Sequence, residues 1–180
     1  MGLDTYFVRT SKRAFEVFKK NACVDGCDQN DPYIQVRFDE VAYFRKFWSL
    51  LRRMDYSDDK YGCYVEVTVD KIIALRAEAQ KTILMVLKYL KEHGWEVDQS
   101  PLERVKLEGD YTSWLDECIT LKNGVFTEEL EEECNAVCNQ VYEDSDAFLF
   151  RKVVTLYQKF SDILEQTDFD KEIILHESDW

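Results

Sequence analysis

The sequence predicts an α+β protein: a helix-rich single domain with a few short strands and one long central helix. Three observations lead there. Apolar stripes of helical period recur between residues 70 and 163, and short alternating runs stand at 33–38 and 64–69. Two Pro and six Gly in 180 residues leave no room for a linker. Residues 1–69 read as a mixed strand and helix part, residues 70–180 as a mainly helical and acidic part of one domain.

Each element has its own local cause. Residues 3–9 contain Thr5, Tyr6, Phe7 and Val8, a β-prone run. Residues 11–21 suit a short helix with Ala14, Phe15, Val17 and Phe18 inward. Gly26 and several Asp and Asn make 21–32 a loop. Ile34, Val36 and Phe38 alternate with Gln35 and Arg37, as in a half-buried strand. Asp39 can then cap a helix over 39–54, with Tyr43, Phe44, Phe47, Trp48 and Leu51 on one face. Arg45, Lys46, Arg52 and Arg53 lie on or beside the other.

After an alternating run at 64–69, Asp70 can cap the longest helix, which ends at His93-Gly94 with glycine as the natural stop. Ile72, Leu75, Ala79, Ile83, Val86 and Leu90 form one stripe; Ile73, Ala77, Leu84 and Leu87 form a second. Two adjacent stripes predict packing from two sides. Pro101 bars a helix through 95–109, an irregular or hairpin segment. Three helices follow, capped by Asp110, Thr127 and Ser145. Their apolar faces are Tyr111, Trp114, Leu115, Cys118 and Ile119; Leu130, Cys134, Val137, Cys138 and Val141; and Leu149, Val153, Leu156, Phe160 and Ile163. Ile173, Ile174 and Leu175 in the tail suit a docked strand or a last turn.

Charge and composition exclude several classes. The chain carries 36 acidic and 23 basic side chains, net −13, which argues against a general nucleic-acid binder. Residues 1–56 hold ten basic and eight acidic groups and residues 57–180 hold 13 and 28, so the acidity belongs to the later part. The longest apolar run, 83–87, falls far short of the ~20 residues that cross a bilayer. Position 6 is Tyr where a myristoylation motif at Gly2 wants Ser or Thr. Six cysteines are too few for a disulfide scaffold, and the reading is cytoplasmic with reduced thiols.

Catalytic templates are sparse. No P-loop, G-x-S-x-G, G-x-G-x-x-G or H-E-x-x-H occurs. His93 beside Gly94 suits the helix C-terminal dipole. Cys23-x₃-Cys27 and Cys134-x₃-Cys138 have the residue types of a zinc site, but the second pair falls on an apolar stripe, where free Cys acts as a small hydrophobe. No metal and no cofactor are expected. The acidic loop 25–31 lacks the order of a calcium loop and reads as a turn. Glu128, Glu129, Glu131, Glu132 and Glu133 cluster at a helix start, where the dipole favours carboxylates. The same face could imitate nucleic-acid phosphate. Arg45, Lys46, Arg52 and Arg53 are the one basic concentration, with Asp4, Tyr6 and Tyr43 as neighbours if the first strand packs on that helix.

Met1-Gly2-Leu3-Asp4-x-Tyr6, the segment Glu40-Val41-Ala42-Tyr43-Phe44-Arg45-Lys46, and Tyr61-Gly62-Cys63-Tyr64-Val65 occur in that order. This pattern resembles a group of small proteins without assigned function encoded by bacteriophages, prophages and gut bacteria. Members typically begin Met-Gly-Leu-Asp-Met-Tyr-Leu, carry an aromatic-Arg-Lys helix and have a Cys-Gly-aromatic segment. Here position 5 is Thr, and the Gly and Cys stand in the opposite order. Asp110-Tyr111-x-x-Trp114 is loosely similar to a Tyr-rich helix start in the group. The resemblance covers roughly the first half of the chain. It implies a phage or mobile-element origin and attaches no reaction.

The expectation is a non-catalytic protein–protein interaction protein, with no direct nucleic-acid contact and no membrane, that admits a homo-oligomer. Two rivals stand beside it. One is an acidic nucleic-acid mimic that blocks a basic host protein. The other is a small-anion binder or enzyme using Asp4, Tyr6, Tyr43, Arg45 and Lys46.

Overall fold

The β-prone run Thr5-Tyr6-Phe7-Val8 lies in strand β1 (Asp4–Ser11). The structure is a computed structural model that describes residues 4–21, 39–45, 60–61, 64–97, 119–120, 127–142 and 149–179. It is α+β, as predicted. Among the described residues are four helices, a five-stranded antiparallel sheet and a two-stranded ribbon. The chain divides into two compact units, residues 1–72 with 166–180, and residues 73–165.

The sheet belongs to the first unit. It contains β2 (Asp39–Arg45), β3 (Lys60–Tyr61), β4 (Tyr64–Val67) and β7 (Glu172–Asp179), in the order β2-β1-β7-β4-β3. The C-terminal strand therefore lies between β1 and β4, paired with β1 from Asp4↔Asp179 to Ser11↔Glu172. Helix α1 (Lys12–Asn21) follows β1 directly, and Ser11 Oγ caps it by accepting the Ala14 N–H at 3.1 Å. Phe15 and Phe18 join Val8, Tyr64, Ile173 and Leu175 in a buried cluster, with Tyr6 packed at its side. Val17, expected inward with them, is 47% exposed. At about 100° per residue it stands some 200° from Phe15, so burying Phe15 and Phe18 turns it out. By alternation, the other sheet face carries Thr5, Phe7, Val65, Val67, Ile174 and His176, all buried.

The first part of the predicted 39–54 helix is corrected. Residues 39–45 are strand β2, paired with β1 from Asp4↔Arg45 to Arg9↔Asp39, with a bulge at Val41. The aromatic spacing fits a helical period, but Val41, Tyr43 and Phe44 suit a pleated surface as well, and the ladder to β1 decides. Residues 46–54, the alternating run 33–38, the loop 25–31 and the segment 98–118 lie outside the described residues, as does Ser145.

Helix α2 (Val69–Glu92) starts in the first unit and runs on through the second. Its N-cap is Thr68, not Asp70: Thr68 Oγ1 accepts the Lys71 N–H at 3.3 Å, which leaves Asp70 in the first turn, where the dipole favours it. The main predicted stripe, from Ile72 to Leu90, is buried throughout. The second stripe splits, with Leu87 buried, Leu84 half-buried, Ala77 exposed and Ile73 49% exposed. The helix is therefore enclosed on two sides only towards its C-terminal end. There Gly94 adopts φ 87°, Gly94 N–H donates to Lys91 O (3.2 Å) and Trp95 N–H to Leu90 O (3.0 Å). This Schellman geometry is why glycine stands at the stop.

The second unit is completed by helices α3 (Glu128–Tyr142) and α4 (Leu149–Gln166, its last residue in the first unit) and by a ribbon of β5 (Glu96–Val97) and β6 (Ile119–Thr120). Ile119, expected on a helix face, instead pairs with Val97 in the ribbon. Thr127 caps α3 as predicted, its Oγ1 accepting the Leu130 N–H at 3.2 Å. Leu130, Cys134, Val137 and Cys138 of α3 are buried, as is the whole predicted stripe of α4. Two polar contacts fix the helix arrangement. Thr82 Oγ1 lies 3.3 Å from the Tyr142 hydroxyl, and Asn135 Oδ1 accepts the Phe150 N–H at 2.8 Å.

Candidate functional site

Of the five residues nominated from the sequence, four lie on the β1–β2 ladder rather than on a strand packed on a helix. Asp4 is the register partner of Arg45, and Tyr6 that of Tyr43. The period of two puts all four positions on one face of the sheet, on alternate rungs. Tyr6 and Tyr43 stack with ring centroids 5.0 Å apart and planes at 34°. Tyr6 is half-buried, while Tyr43, on the last strand of the sheet order, is 40% exposed. On the other side of Tyr6, the same rung continues through Glu177 to Tyr64 and Tyr61. Lys46 lies outside the described residues, as do Arg52, Arg53, Cys23, Cys27, Cys63 and Cys118.

The remaining candidates separate by burial. Glu128, Glu129, Glu132 and Glu133 are exposed at the start of α3, but Glu131 is only 7% exposed. Its Oε2 accepts a charge-assisted hydrogen bond from Arg151 Nη2 at 2.5 Å. One carboxylate of the acidic cluster is therefore part of the α3–α4 packing rather than of a solvated face. Burial first, and then the charges of Cys138, Glu133 and Glu131, hold the Cys134 thiol well above the ordinary range. Burial also pushes Cys138 up to about 12. A thiol held protonated is a poor nucleophile and a poor metal ligand. Among the described residues, no group of three or more His, Cys, Asp or Glu has the geometry to hold a metal.

His93 is exposed, stacks on Tyr89 at 4.0 Å and places Nδ1 2.8 Å from the Tyr89 carbonyl, a helix-end role. His176 is 2% exposed in mid-sheet, and burial, followed by the Lys71 ammonium, pushes its pKa down to about 4.

One arrangement was not visible from the sequence. Arg76 of α2 donates from Nε to Ser161 Oγ (2.7 Å) and from Nη2 to the Tyr157 hydroxyl (3.2 Å), with its guanidinium carbon 5.0 Å from the Tyr157 ring centroid. The available signal was a polar residue flanking each of two apolar stripes: Arg76 beside Leu75 and Ala79, Ser161 beside Phe160.

No helix of the described residues is long and apolar enough to cross a membrane. Comparison with protein-family models, with curated proteins and with solved structures returns no match to this chain.

Proposed function

We propose that this chain is a non-catalytic protein-interaction protein of phage or mobile-element origin that works in the cytoplasm and meets its partner at the β1–β2 margin. The observation that carries this reading is Tyr43, an exposed aromatic stacked on Tyr6 at the last strand of the sheet among the described residues. Tyrosine gives large, rigid contact area with a polar tip and is enriched at interfaces. Two rungs along the same ladder, Asp4 is the register partner of Arg45. The acidic-mimic reading rests on the exposed Glu128, Glu129, Glu132 and Glu133, which the helix dipole accounts for without a partner.

The test is a photo-crosslinking amino acid placed at Tyr43 or at Glu132 in cells, followed by affinity measurement with the purified adduct partner. A discrete protein adduct from position 43, with binding weakened about tenfold or more by Tyr6→Ala, supports the reading. Adducts from position 132 alone, with a basic nucleic-acid-binding protein, would establish the mimic instead. Adducts from neither position would overturn both.

A further inference from the structure

We propose that Arg76 is the anchor of a carboxylate-binding site on the second unit, separate from the β1–β2 margin and independent of it. A guanidinium is charged at all working pH values and offers five N–H donors in a fixed plane. Two of these, on the side-on edge formed by Nε and Nη2, are taken by the hydroxyls of Ser161 and Tyr157. Both hydroxyl-bearing residues are almost wholly buried, at 1% and 0% exposure. Ser161 Oγ is itself oriented by donating to the Tyr157 carbonyl at 2.8 Å. The tyrosine ring stabilises the cation further as a π face. The fork is therefore held rigidly, with its end-on edge, the parallel N–H groups of Nη1 and Nη2, still without an acceptor among the described residues.

What is missing among the described residues is a counter-charge. Arg9, Lys19, Lys88, Arg151 and Lys171 each have a carboxylate within 4 Å, in a chain with 36 acidic side chains. Half-buried Arg76 has none among the described residues. Neutral hydroxyls recover only part of the solvation a guanidinium loses, and an anion recovers the rest. Arg76 is half-buried, so its side chain keeps part of its surface open to solvent. A planar carboxylate fits the end-on edge with two parallel hydrogen bonds, whereas a lysine ammonium in place of the guanidinium would offer it only a point charge. Ile73, one turn earlier and 49% exposed, and exposed Ala77 supply an apolar margin for a small body attached to that carboxylate.

The test follows the Arg76 Nε–H NMR signal while the intact protein is titrated with acetate, N-acetylleucine, N-acetylleucinamide and inorganic phosphate. Saturable shifts with the two carboxylates, absent with the amide, are expected. Equal affinity for acetate and N-acetylleucine would assign the site to small free carboxylates, and tighter N-acetylleucine to a chain terminus; either supports the proposal. Arg76→Lys, which keeps charge and loses the fork, should bind about fivefold or more weakly. Arg76→Gln should abolish binding, read from neighbouring backbone amides. No saturation, an amide as effective as the acid, a response to phosphate alone, or undiminished binding by Arg76→Lys would each overturn it.

Discussion

The imidazole of His176 lies 5.3 Å from the ring of Phe7, its register partner across the β1–β7 ladder. On the other side of β7 its partner is Val65. A histidine in this setting is held neutral, which links the sheet to pH. The unfolded chain takes up a proton at the ordinary imidazole pKa near 6.5, while the folded chain resists until about 4. Stability is therefore highest above 6.5 and falls as pH drops from there to about 4, by roughly 3 kcal/mol in all. Thermal melts between pH 7 and 4 should show this slope, and His176→Leu should flatten it. A carboxylate effect falls in a different window. Asp168, whose pKa the hydrogen bond from Lys171 lowers, stabilises above the ordinary carboxylate value of 3.8 and loses that only at lower pH. An unchanged slope in the leucine variant would show that His176 is not the proton acceptor.

Ile83 is fully buried in the middle of the main α2 stripe. Ile83→Asp puts a carboxylate there without a partner, at a cost of several kcal/mol out of a total near 5–15 kcal/mol. The variant should fail to fold or melt far below the parent by circular dichroism. A melting temperature within about 2 °C of the parent would contradict the packing of α2, since such a shift corresponds to a fraction of a kcal/mol.

Cys134 and Cys138 are both buried and free. With thiols kept protonated, neither should react with a thiol-specific reagent at pH 8 in the native protein, and both should react in denaturant. Peptide mapping by mass spectrometry reads the two sites separately. Fast native labelling at either, or stoichiometric zinc at this pair, would contradict the structure.

Thr127→Ala removes the side-chain acceptor of the Leu130 N–H and should cost about 1 kcal/mol. In a chain of this size that lowers the melting temperature by about 2–4 °C. Thr127→Ser keeps the hydroxyl and should restore most of the loss. Equal melting of the alanine and serine variants would mean that the cap contributes nothing.

Sequence by itself determined the elements whose causes are local. The phases of α2, α3 and α4, the Thr127 cap and the Gly94 stop follow from side-chain spacing, hydroxyl acceptors and a backbone angle, all within one or two helical turns. It also nominated Asp4, Tyr6, Tyr43 and Arg45 as a set. Only the tertiary structure decided how they meet. Residues 39–45 satisfy both a helical and a pleated pattern, and hydrogen bonding to β1, distant in sequence, selects the strand and places Asp4 against Arg45 and Tyr6 against Tyr43. The same physics put the tail between β1 and β4, since an apolar run such as Ile173-Ile174-Leu175 specifies burial on both faces but not its neighbours. Arg76 was legible only as a charged residue on a stripe's flank. That among the described residues it meets two buried hydroxyls and no carboxylate depends on which face of α4 packs against α2, and no local pattern encodes that choice.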